Sequence, residues 1–243
     1  MAVTVTEPTR RLIVALDLAE REAILGMARN LLGRVGAVKV GLEAFTGHGP
    51  ALVEELRGLG LSVFLDLKLH DIPNTVERAA AACARLGVAM LTVHAAGGSA
   101  MLRAAVAGAT AGAAGQPPPI VLAVTVLTSL DEEELRRLAM PGSVVERVKG
   151  WAALARSCGC GGLVCSAREV AGLRHELGRS AVIVTPGIRP AGAAALDQSR
   201  VATPAAAIAD GADYLVVGRP ITAAPDPAAA AEAIVAEIRA ALG

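Results

Sequence analysis

Residues 64–76 read FLDLKLHDIPNTV. Phe64, Leu65, Leu67 and Leu69 read as a strand on the inside of a sheet, yet Asp66, Lys68 and Asp71 fall within six positions of one another. Charge in an apolar strand is costly unless it is paired. Side chains alternate along a strand, so Asp66 and Lys68 share a face, while Asp71 falls in the loop beyond. The sheet that holds this strand therefore gathers charge at one end.

Seven further apolar runs recur along the chain. They are LIVALDL (12–18), AVKVGL (37–42), MLTVHA (90–95), IVLAVTVL (120–127), GLVCSA (162–167), AVIVTPGI (181–188) and YLVVGR (214–219). With SVFLDLKL (62–69) they make eight. Near-continuous apolar strands are covered on both faces, as in a parallel sheet. Between them lie segments of helical period, among them 21–33, 49–60, 74–87, 129–138 and 228–243. Gly60 suits the residue past a helix end, Asn74 suits an N-cap, and Ser129 with Glu132 fits a capping box. Eight strands alternating with helices predict an α/β fold, a (β/α)8 TIM barrel, as a single domain over residues 1–243. An open doubly wound sheet is the alternative, but the first junction, LDLAEREA, lacks the G-x-G-x-x-G of its dinucleotide-binding form. No composition shift divides the chain; GQPPP (115–119) reads as a stiff turn.

Composition narrows the function classes. Lys plus Arg equals Asp plus Glu at 23 each, so no basic excess calls for nucleic acid. Aromatics at 2% leave few platforms for stacking bases. No apolar stretch is long enough for a membrane span, and MAVTVTEPTR lacks the layout of a signal peptide; the expectation is a cytoplasmic protein. Cys83, Cys158, Cys160 and Cys165 are too few for a disulfide framework, and the C-x-C spacing is not that of common zinc sites.

In a barrel the reacting groups sit at the carboxyl ends of the strands. Those ends carry Asp17, Lys39, Asp66 and Lys68, then Asp71 in a loop, His94, Thr128 with Ser129, Arg189 in TPGIRP, and Gly218-Arg219. Lys39 on the neighbouring strand reaches the same mouth as Asp66 and Lys68. The group reads either as a polar site of alternating charge or as a structural ion-pair network. Gly218-Arg219 after the TPGIR loop suits a phosphate site built after strands seven and eight, or a turn with a solvated arginine. Asp66, His70, Asp71 and His94 could be metal ligands, but Lys68 beside Asp66 would repel a divalent cation. His48 and His175 have no partner pattern, and no G-x-S-x-G is present.

These residues resemble the orotidine 5′-phosphate decarboxylase family over nearly the whole chain. The matching parts are ALD (15–17), VKVGLE (38–43), FLDLKLHDIPNTV (64–76), VHAAGG (93–98), LTS (127–129), VCSAREV (164–170), TPGIRP (185–190) and VVGRPIT (216–222). The resemblance implies loss of the C6 carboxylate of orotidine 5′-phosphate as CO2 to leave UMP, without metal or organic cofactor, in a homodimer with shared sites. It implies that Lys68 is the proton donor to C6 and that Asp66 faces the substrate carboxylate. Asp71, with Ile72 and Thr75, is then lent by the partner subunit. Lys39 completes the array near the ribose, Asp17 binds a ribose hydroxyl, and Thr128 contacts the pyrimidine. Arg189, Gln198, Gly218 and Arg219 match the phosphate side, with Gln198 reaching towards the base. The chain departs from the family at CGCGG (158–162), which replaces a segment that often carries an acid, and in the Ala-rich stretch 191–197. A phosphosugar decarboxylase or synthase on the same scaffold, or a non-catalytic nucleotide-phosphate binder, are the competing expectations.

Overall fold

The computed structural model describes residues 6–190 and 202–243. Eight parallel strands close into a barrel in sequence order: β1 (Leu12–Ala15), β2 (Ala37–Gly41), β3 (Val63–Leu69), β4 (Met90–His94), β5 (Ile120–Val124), β6 (Gly162–Val164), β7 (Val182–Thr185) and β8 (Tyr214–Val217). β8 pairs back onto β1 through Leu12↔Leu215 and Ile13↔Val216. The closed order decides between barrel and open sheet in favour of the barrel.

Each strand buries both faces because each face meets a different core. Leu12, Val14, Val38, Val40, Leu65 and Leu91 point outward to the helices. Ile13, Ala37, Phe64, Met90, Leu122, Val182 and Val216 fill the barrel itself. Two residues further along, the inward positions change character. Ala37 is followed by Lys39, Phe64 by Asp66, and Met90 by Thr92. The pleat thus converts one period-two pattern into an apolar plug below and a polar layer above.

The helices are α1 (Arg21–Asn30), α2 (Leu42–Gly58), α3 (Pro73–Arg85), α4 (Gly98–Gly112), α5 (Glu132–Arg137), α6 (Val144–Ser157), α7 (Val170–Leu177), α8 (Pro204–Ala209), α9 (Arg219–Thr222) and α10 (Pro227–Ala241). Three local expectations are corrected. Asn74 is not the N-cap of α3: Pro73 takes the first helical position and Ile72 precedes it, which suits a residue with no N–H to satisfy. Ser129 does not cap the next helix either, because Asp131 stands nearer and accepts from the N–H of Glu134. α2 starts at Leu42 rather than at 49 and bends at Gly49, whose φ of 62° just before Pro50 breaks the helical path. Gly60 does lie past the end of α2, at φ 87°, where its N–H donates to the carbonyl of Arg57.

α3, which begins directly after the 64–72 stretch, is held tightly to α4. A Cβ on Gly108 or Gly112 of α4 would overlap the carbonyl oxygens of Glu77 and Ala81 on α3. The absence of a side chain at both positions lets the two backbones touch and fixes where α3 starts.

Candidate active site

β3 carries the first two groups, but not on a regular pleat. Leu65 pairs with Leu91, and the next pair is Leu69 with Val93. Three residues of β3 (Asp66, Leu67 and Lys68) therefore stand opposite one residue of β4, Thr92. This is a bulge, a device that re-aims side chains. Within it Lys68 adopts φ 51°, a conformation that side-chain-bearing residues rarely occupy. The bulge brings both charged groups to the barrel mouth, as expected from alternation, by a different backbone route.

The mouth contains a line of alternating charge. Asp17 Oδ1 accepts from Lys39 Nζ at 3.0 Å. Lys39 Nζ stands 3.6 Å from Asp66 Oδ2, and Lys68 Nζ donates to the same oxygen at 2.9 Å. The other oxygen, Asp66 Oδ1, accepts from the Thr92 hydroxyl at 2.9 Å. Lys39 and Asp66 are buried, at 9% and 8% exposure, so each faces the other more than it faces solvent. Thr92 is fully buried. It is an uncharged residue in a strand of ordinary composition, so its type alone does not mark it out. Its two-residue offset from Met90, pointing into the barrel, is the signal that finds it.

Two cavities adjoin this line and share Lys39, Pro186 and Val216. The first, about 180 Å³, runs from Asp66 and Lys68 to an apolar wall of Val124, Val126 and Val164, with Thr128 and Ser166 as its hydroxyl groups. Ser166 is a second residue that the sequence does not reveal; it sits where β6 ends, in a capping box with Glu169. The second cavity, about 370 Å³, is lined by Asp17, Arg189, Gly218 and Arg219. Arg189 is 7% exposed, and its Nε finds no hydrogen-bond partner among the described residues. A buried guanidinium with an unused donor beside a cavity is suited to an anion. A cavity of about 290 Å³ elsewhere is lined by Val106, Pro118, Gly161 and Ser180 with no charged side chain.

Asp71, Ile72 and Thr75 are not brought into this mouth. All three are exposed, Ile72 at 66%, and Asp71 Oδ1 accepts the neighbouring N–H of Ile72. Gln198 lies outside the described residues. His94 is half-buried, its ring centroid 5.5 Å from that of His70. Burial first, then His70 and Lys68, hold its pKa below the usual imidazole value. Among the described residues no His, Cys, Asp and Glu cluster is arranged to hold a metal ion. The four cysteines are free thiols; burial pushes Cys83 up to about 11 and Cys160 to about 12, so these two remain protonated and inert.

An apolar slot, a charged line and a cavity lined by arginines stand in series, a layout suited to a ligand with a flat ring, a polar middle and an anionic end. Several known proteins are similar to this chain. An orotidine 5′-phosphate decarboxylase of Moorella thermoacetica is 54% identical over 231 residues, covering 94% of this chain and 92% of the relative. One from Anaeromyxobacter sp. is 53% identical over 230 residues, covering 95% and 99%. The crystal structure of orotidine 5′-phosphate decarboxylase from Lactobacillus acidophilus superposes with a TM-score of 0.82 at 42% identity, covering 94% of this chain and 99% of that one. The family described as orotidine 5′-phosphate decarboxylase / HUMPS matches residues 10–234, from just before β1 into α10. With the barrel, the charged mouth and these relatives in agreement, the chain belongs to the orotidine 5′-phosphate decarboxylase / HUMPS family.

Proposed function

We propose that this chain is an orotidine 5′-phosphate decarboxylase that forms UMP and CO2 in the last step of de novo pyrimidine synthesis. The observation that carries the reading is the line Asp17–Lys39–Asp66–Lys68, placed between an apolar cavity and one lined by arginines. The pyrimidine occupies the apolar cavity against Thr128. Asp17 and Lys39 hold the ribose. Arg189, Gly218 and Arg219 take the phosphate, with Gln198 bridging from the phosphate towards the base.

Cleavage of the C6–carboxylate bond leaves its electron pair on C6, with no adjacent carbonyl to spread it. Stabilisation must come from charge already in place. Lys68 supplies a cation there and then the proton, so C6–H forms as CO2 leaves and the lysine is left neutral until solvent reprotonates it. Asp66 lies near the substrate carboxylate and repels it. Two charges 4 Å apart at an effective dielectric of 20 interact by roughly 4 kcal/mol. In the free protein, however, Asp66 is already balanced by Lys68 and Lys39, which reduces its net push well below that figure. The cation at C6 therefore contributes more than the repulsion. Side chains alone perform this chemistry, and the phosphate grip offsets the cost of assembling so charged a site.

Asp71, Ile72 and Thr75 serve the site of a second copy of the chain, in a homodimer of single-domain subunits in the cytoplasm. Their exposure, and the place of Asp71 outside the ion pairs of the mouth, support that assignment. The test is to add purified protein to orotidine 5′-phosphate with EDTA present and follow the ultraviolet absorbance of the substrate. The expected result is its loss with formation of UMP. Binding without loss would point instead to a phosphate-binding protein, and dependence on Mg²⁺ to the phosphosugar enzymes.

A further inference from the structure

We propose that Thr92 is a positioning residue that sets the geometry of the Lys68–Asp66 pair through a single hydroxyl. The inference rests on the decarboxylase reading and names a residue that reading does not use.

A hydroxyl has one hydrogen to give and lone pairs to receive. Here both functions are engaged. The N–H of Lys68 donates to Thr92 Oγ1 at 2.8 Å, so the hydroxyl hydrogen is left for Asp66 Oδ1 at 2.9 Å. The first bond holds the main chain of the bulged residue, at φ 51°, in a conformation it would not choose unaided. The second turns the Asp66 carboxylate so that its other oxygen faces Lys68 and Lys39. One fully buried atom thus fixes the root of the Lys68 side chain and the acceptor at its tip. Thr92 is also the only β4 residue opposite the bulge, between the pairs Leu65↔Leu91 and Leu69↔Val93.

Thr92→Val keeps the shape and removes both bonds. Thr92→Ser keeps both. Three quantities are measured: kcat, KM, and the affinity for UMP, which reports the pocket without the reacting carboxylate. For Thr92→Val, kcat falls about 10²-fold, the scale of a small misplacement of a reacting group. KM and UMP affinity stay within about threefold, and Thr92→Ser recovers most of the lost turnover. Two results overturn the proposal: a folded Thr92→Val with kcat within about twofold of wild type, or a loss matched by an equal loss of UMP binding. If Thr92→Val does not fold, Thr92→Cys takes its place, since a thiol fills the volume with a much weaker hydrogen bond, and the same criteria apply. A wild type that does not turn over overturns both readings; an active wild type with an indifferent Thr92→Val overturns this one alone.

Discussion

Lys68 Nζ and Asp66 Oδ2 stand 2.9 Å apart, although the two residues belong to one strand and a bulge separates them from its regular path. The pair is not isolated. Lys39 approaches the same oxygen at 3.6 Å, so one carboxylate balances two ammonium groups.

Removing that carboxylate leaves half-buried Lys68 without its partner and buried Lys39 with Asp17 alone. Asp66→Ala is expected to lower the free energy of unfolding by about 3 kcal/mol, the low end for breaking a buried pair, and to abolish most turnover. Urea denaturation checks the first part. An unchanged midpoint would show that the two lysines lose Asp66 at no cost.

Arg219 lines the cavity proposed for phosphate. A hydrogen bond to a charged group is worth about 2 kcal/mol, which corresponds to about 30-fold in rate. Arg219→Ala is therefore expected to lower kcat/KM by that order while Lys68 and Asp66 remain in place. An unchanged kcat/KM would remove Arg219 from the phosphate site.

Asp71 is exposed, and its carboxylate accepts the Ile72 N–H of its own chain. If it serves a second subunit, mixing inactive Lys68→Ala with inactive Asp71→Ala restores activity. Random assortment makes about half the dimers mixed, each with one intact site of two, so about a quarter of the wild-type level is expected. Proven subunit exchange with no recovery would argue that each chain works alone.

His94 provides a pH dependence. Its pKa is lowered by burial, by His70 and by Lys68, with Asp66 opposing. The unfolded chain then binds a proton at a higher pH than the folded one. The stability contributed by neutral His94 is complete above about pH 6.5 and declines as the pH falls through that value. Urea midpoints measured from pH 7 to 5 should fall less steeply for His94→Gln than for wild type. Asp131 and Glu146, whose pKa values are lowered by backbone donors, act at more acid pH and are common to both proteins.

The eight strands are legible in the sequence because each carries the same signature, a near-continuous apolar run, and the runs recur at roughly regular intervals. Asp17, Lys39, Asp66 and Lys68 can be placed together by strand order and alternation alone. What escapes is local. Lys68 has a positive φ and β3 breaks its register between Leu65 and Leu69, whereas a pattern of period two assumes an unbroken register. The starts of α3 and α5 escape for a related reason. Several residues in a row could begin each helix, and Pro73 and Asp131 win by one or two positions. Asp71 can be read as leaving the strand, but the subunit it serves is not written in one chain.

The most direct test is the turnover number of Lys68→Ala with orotidine 5′-phosphate, alongside its affinity for UMP. With Lys68 as the cation and proton donor at C6, kcat falls by about 10²-fold or more, while UMP, which needs no proton, still binds. Near-normal turnover in a variant that binds UMP would contradict the mechanism.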